Sequence, residues 1–339
     1  KSLMSSPRSS LESTPAGSAQ GRSTVQLLSS DFGQSVLSSG ILRGTGSQRW
    51  NVASGIEGSL IGPEVITRTM SVARPRGTSA SEWQYHSRSD HHSKVACWTV
   101  AVDLLGESAL MRQHAQEGKI VLGVNLELRD FRTGRKKDLD LVIGKPAQDT
   151  PTTTRSLATL AEEYGLVLTA SERNWVKSLP HLSEGLVGPV MVALEAKAAM
   201  TEHSKARPRL YDELTSSFST VLGNSSNALA VGLVMVNLAD SFVSPDLNKG
   251  GKRRSVVSKH NQPKAAESIL EKVRELPRRT GDQQQGFDGL AVLMVECRND
   301  GTPIRLVVTP PAPQIGDLLN YRGMITRVAH EYDARFRNT

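Results

Sequence analysis

Residues 137–143 read Lys-Asp-Leu-Asp-Leu-Val-Ile, and residues 192–197 read Val-Ala-Leu-Glu-Ala-Lys. Both are short apolar runs with charges set inside them. On a strand, side chains two apart share a face. Asp138 and Asp140 therefore project together, and so do Glu195 and Lys197. Burying an unpaired charge is costly, so charges within apolar strands call for partners. Carboxylates on two adjacent strands are well placed to pair through a cation.

The flanking sequence supplies the rest of a layered α/β domain. Asp90 to Ser108 is expected to be a helix, capped by Asp90, with Val95, Trp98, Val102 and Leu105 at helical spacing. Strands are expected over residues 119–129, 138–143 and 189–198, with a turn at Phe131-Arg132-Thr133-Gly134. A mostly helical insertion should fill residues 150–187. A helix is expected over 206–222, with Leu210, Leu214, Phe218 and Val221 on one face. Residues 228–238, apolar almost throughout, suit a strand buried on both faces of a sheet. The extension 239–339 should add a helix (263–276), strands (289–297 and 304–308) and a closing helix over about 314–336. The expected class is α/β, a mixed sheet flanked by helices. Residues 1–89, rich in Ser and Gly, form an expected irregular N-terminal arm or recognition segment, and 90–339 the folded domain.

Composition narrows the partners. The 339 residues carry a net charge of +7 with a pI of about 9.5, which favours polyanions such as nucleic acid. Cys97 and Cys297 are the only cysteines, too few for a thiolate zinc site or a disulfide framework, so a cytoplasmic free-thiol protein is expected. No apolar run approaches the ~20 residues that span a bilayer. No GxxxxGK[ST] motif is present, which argues against an ATP-driven motor. Asp90-His91-His92 reads as a helix start rather than a metal motif.

Asp140 followed by Glu195-Ala196-Lys197, on two strands within a helix-strand-strand-strand-helix-strand order, resembles the PD-(D/E)XK nuclease superfamily. The resemblance covers about residues 90–238. It departs from the family pattern at Leu139, where a proline is common. It implies a restriction-endonuclease-like αβββαβ core. It also implies that Asp140 and Glu195 bind Mg²⁺ (Mn²⁺ may replace it), helped by the backbone carbonyl of Ala196, while Lys197 positions the attacking water. Asp138 is the rival for the metal position, and Asp103 or Glu107 would be the acidic residue of the first helix.

Two basic runs could neutralise phosphates. One is Arg132, Arg135, Lys136 and Lys137, leading into the Asp strand; the other is Lys252, Arg253 and Arg254. The function expected from the resemblance is metal-dependent hydrolysis of double-stranded DNA by a type II restriction endonuclease acting as a homodimer. The rivals are a nuclease effector of an anti-phage system, triggered by a partner or signal, and a non-catalytic DNA-binding module. The plainest alternative for the charges is a cross-strand salt bridge between Lys197 and an aspartate.

Overall fold

A computed structural model describes residues 60–75, 82–147, 155–249, 255–281 and 284–338. The chain divides into a unit of Lys1–Ala53 and a unit of Ser54–Thr339, and all described residues belong to the second. Trp50, Lys252, Arg253 and Arg254 lie outside them.

The described chain opens with helix α1 (Gly62–Met70) and a two-residue ribbon, β1 (Arg74–Pro75) with β2 (Glu82–Trp83). Helices α2 (His91–Glu107) and α3 (Ala109–Gln116) follow, then strands β3 (Val121–Arg129) and β4 (Lys136–Pro146). Helices α4 (Leu157–Glu163) and α5 (Ala170–Ser178) fill the insertion before β5 (Val187–Ala199). Next come α6 (His203–Asn224), β6 (Leu229–Asn237) and the ribbon of β7 (Ser241–Val243) with β8 (Val257–Lys259). Helix α7 (Lys264–Arg274), β9 (Gly289–Glu296), β10 (Arg305–Val307) and α8 (Tyr321–Arg335) complete it.

One open, mixed sheet organises these elements, in the order β10-β9-β6-β5-β4-β3. Strands β3, β4 and β5 are successively antiparallel, β5, β6 and β9 run parallel, and β10 returns antiparallel. All nine residues of β6 are buried, as its unbroken apolar sequence requires of a strand covered on both faces. One face packs on α1, α2, α3, α4 and α8, through residues such as Val65, Trp98, Leu105, Met111, Leu160 and Tyr332. The other packs on α6 and α7, through Leu214, Phe218 and Ile269 among others. The chain is therefore a three-layer α/β unit.

Several expectations need correction. Residues 60–75 and 82–89 were grouped with the arm, yet α1 buries Val65, Ile66 and Met70 against α2 and belongs to the core. Its clue in the sequence is a short amphipathic run that starts on Pro63. Asp90 does not cap α2 through its side chain. Its carboxylate instead pairs with Lys94, one turn on, at 2.8 Å. Helix α2 stops at Glu107 because Ser108 turns to extended backbone and caps α3 through its side chain. The closing helix starts only at Tyr321, behind an Asn320 cap, because the preceding segment of prolines and turns cannot hold a helix.

Candidate functional site

The register places the charged residues. Leu141 of β4 faces Leu194 of β5 in the last pair of that ladder, so the next position outward sets Asp140 across from Glu195. Beyond Leu141 the two strands no longer pair. The Asp140 carboxylate uses this gap: its Oδ2 accepts the backbone N–H of Ala196 at 2.9 Å. On the other side, β3 pairs with β4 through Val124 and Leu126 but not through Asn125, whose φ of 49° takes it out of the ladder. Asp140 thus sits where β4 is released by both neighbours.

Along β5, Leu194 and Ala196 pack on the α2 side, while Ala193 and Ala199 pack on the α6 side. Glu195 and Lys197 share the latter face. Glu195 is only 3% exposed. Its Oε1 receives Lys197 Nζ at 2.5 Å, with Lys137 Nζ at 3.7 Å. Its Oε2 is buried with no hydrogen-bond partner. Burial pushes the Glu195 carboxyl above its ordinary range, and Asp140 pushes it the same way against the pull of Lys197 and Lys137. For Lys197, burial works against the charge, but Glu195 outweighs it and the ammonium is held above its usual value.

A cleft of about 370 Å³ opens onto this end of the sheet. Asp140, Ala196 and Lys197 form its floor, Arg209 and Glu213 of α6 one wall, and residues 85–93 at the start of α2 another. His92 lines it, its ring 5.2 Å from that of Tyr85. Burial and then the charge of Lys197 push His92 down to about 4, so its imidazole is neutral at ordinary pH. Tyr85 is anchored at both backbone groups by the Asn299 side chain, at 2.9 and 3.0 Å.

The other residues singled out in the sequence fall as follows. Asp138 is exposed, lies opposite Glu127 of β3, and does not line the cleft. Asp103 is fully buried elsewhere: it accepts the N–H groups of Ile61 and Gly62 at the start of α1 and the hydroxyl of Tyr321. Glu107 accepts from Thr326 of α8. The acidic residue that reaches the cleft is Asp90, just before α2. Lys137 points inward to Glu195 and to the Glu213 carbonyl, not outward with the basic turn. Arg132, Arg135 and Lys136 are exposed on that turn. Arg132 is tied to Asp130 and to the Ser219 carbonyl, and Lys136 to Glu127.

Sequence reasoning missed His92, Arg209 and Glu213. The last two are charges on the polar side of an amphipathic helix, where nothing local separates a site residue from a solvated one. His92 lay in a segment explained by helix initiation alone.

Among the described residues, no group of three or more His, Cys, Asp or Glu side chains stands close enough to hold an ion. The donor set nevertheless fits a hard cation that keeps several waters. It comprises the Asp140 carboxylate, the unpartnered Glu195 Oε2, and the Ala196 carbonyl, which in a strand faces the same side as the Ala196 N–H. The chain matches no family model, no curated protein and no solved structure.

Proposed function

We propose that the chain is a Mg²⁺-dependent endonuclease that hydrolyses phosphodiester bonds of double-stranded DNA, with Asp140, Glu195 and Lys197 as its catalytic residues. The observation that carries this reading is the buried Glu195 carboxylate. One oxygen meets an ammonium, the other meets nothing, and a second carboxylate stands across the strand gap. A purely structural ion pair has no use for that second carboxylate or for the vacant oxygen. The order helix, strand, strand, strand, helix, strand from α2 to β6, interrupted by α3, α4 and α5, supports a restriction-endonuclease-like core.

In this reading Asp140, Glu195 and the Ala196 carbonyl hold Mg²⁺, with Mn²⁺ as a substitute. The bound ion would lower the pKa of a water and stabilise charge on the phosphate oxygens. Hydrolysis adds water across one P–O bond and leaves an alcohol and a phosphomonoester. Lys197 donates from Nζ to the attacking water and offsets negative charge as it builds on the phosphate. Glu195 keeps Nζ in place, and the Ala196 N–H orients the Asp140 carboxylate. The exposed Lys136 lies ~13 Å from Asp140 along β4 at 3.3 Å per residue, with Arg132 and Arg135 on the turn before it, a reach that suits phosphates flanking the cut. A type II restriction enzyme acting as a homodimer is the specific form proposed, because cutting both strands with one site per chain calls for two-fold pairing.

Incubating the full chain with supercoiled plasmid DNA and Mg²⁺ or Mn²⁺ tests this. Discrete fragments are expected, with Asp140→Ala, Glu195→Ala and Lys197→Ala each reducing cleavage by about 10²–10³-fold or more. Wild-type protein that leaves DNA intact with both ions, or variants that cut as well as wild type, would overturn the reading.

A further inference from the structure

Lys197 is shared between two carboxylates. Glu195 lies beside it on β5, and Glu213 Oε2 on α6 stands 3.8 Å from the same Nζ. Glu213 is held in turn by Arg209, one helical turn earlier, at 3.2 Å. Its backbone carbonyl receives Lys137 Nζ at 3.4 Å, so the same residue of α6 touches the lysines of both strands. The network around Lys197 therefore joins three carboxylates (Asp140, Glu195 and Glu213) and three cations (Lys137, Lys197 and Arg209).

This balance changes if Glu195 and Asp140 are given over to a divalent cation, as the proposed function requires. With Oε2 on the ion, the Glu195 charge is shared and its hold on Lys197 through Oε1 weakens, and the ion itself repels the ammonium. Nothing else on β4 or β5 replaces it, since the neighbouring Lys137 is another cation. On α6, Glu213 is a carboxylate not needed as a ligand, already on Nζ, and half-buried where screening is incomplete. Towards a polyanion, however, a carboxylate in the cleft wall is a liability, because it opposes phosphate.

We infer that Glu213 is a positioning residue that holds Lys197 over the reacting phosphate once Glu195 is engaged with the cation. The inference rests on the nuclease reading of the site. Its signature is a split: Glu213 favours turnover while weakening DNA binding.

The test compares full-length wild type, Glu213→Gln, Glu213→Asp and Glu195→Ala on supercoiled plasmid DNA with Mg²⁺, with kcat and KM taken separately. Thermal melting of each shows that it is folded. Glu213→Gln is expected to lower kcat about ten- to a hundredfold, the cost of a misplaced catalytic group, with a KM unchanged or lower. Glu213→Asp, which keeps the charge on a shorter stem, is expected to recover part of kcat. If Glu213→Gln cuts as fast as wild type, or if Gln and Asp lose activity equally, or if kcat holds while KM rises, the inference fails. In each of these cases a dead Glu195→Ala beside an active wild type leaves the nuclease reading standing. If the wild type does not cut at all, both fall.

Discussion

Two clusters in the same sheet bury charge in opposite ways. At the start of β6 and β9, Arg279 and Asp288 are each 1% exposed. Asp288 accepts Arg279 Nε and an Arg335 amine on Oδ1, and the Ala230 N–H on Oδ2. Arg279 spends its remaining amines on the carbonyls of Ser226 and Ala228. Asp288 and Arg279 are thereby satisfied, while Nη1 of Arg335 is buried with no hydrogen bond, and the cluster ties α8 to the start of two parallel strands. On β5, level with Gly232 of β6, Glu195 is almost as deeply buried but keeps one oxygen without a partner and a second carboxylate close by. Completing a buried charge makes an anchor, whereas an incomplete one costs stability and keeps a coordination position free.

The largest expected effect breaks the anchor. Asp288→Ala should cost about 3–5 kcal/mol, because it strands the buried Arg279 guanidinium. Glu195→Gln should cost less than about 1 kcal/mol, as it removes a repulsion along with an ion pair. Urea denaturation of both variants measures the contrast. Equal losses would mean that the two clusters serve the same purpose.

Next in size is the response to cation. Mg²⁺ at a hundred times its Kd should stabilise the wild type by about 2.7 kcal/mol, read as a rise in Tm. Neither Glu195→Gln nor Asp288→Asn is needed as an activity probe here, since the readout is melting alone. The rise should vanish in Glu195→Gln and persist in Asp288→Asn. A rise that survives Glu195→Gln would move the cation elsewhere.

A third, pH-dependent effect concerns Asp103, a buried carboxylate with neutral donors and no cation. Burial raises it from 3.8 to about 7, against hydrogen bonds from Ile61, Tyr321 and Gly62. Between pH 4 and 7 the folded chain then keeps a proton that the unfolded chain has lost. Stability should therefore be highest below pH 4 for this group and fall as pH rises through about 7. Asp103→Asn should flatten that slope in denaturation curves taken across the range. An unchanged slope would assign it to other groups. The packing there is tight: a Cβ on Gly62 would fall 2.8 Å from Asp103 Oδ2 and 2.1 Å from Tyr321 Oη.

Much of this architecture was legible in the chain. The runs around Asp140, Glu195 and residues 229–237 gave themselves away as strands because they are short apolar runs, the last unbroken as a strand covered on both faces requires. The helix expected over 206–222, which runs His203–Asn224 in the structure, was legible through Leu210, Leu214 and Phe218. What stayed hidden was whatever depends on a distant partner. Asp103 is an acid of α2 and Asp90 the residue just before it, and nothing local shows that the first holds α1 while the second meets the cleft. Lys137 reads as one more member of a basic run, yet its side chain turns inward to Glu195.

The sequence by itself determined the strands, the helix between β5 and β6, and the face shared by Glu195 and Lys197. Those follow from periodicity, a property of neighbours along the chain. Only the tertiary structure decided that Asp140 rather than Asp138 meets β5, and that Glu213, Arg209 and His92 close around the same cleft. Strand register sets the first, since Asp138 and Asp140 share a face and a slip of two residues would exchange them. The second needs α2 and α6 packed on opposite faces of the sheet, and no local pattern encodes which of their charges then lie within reach.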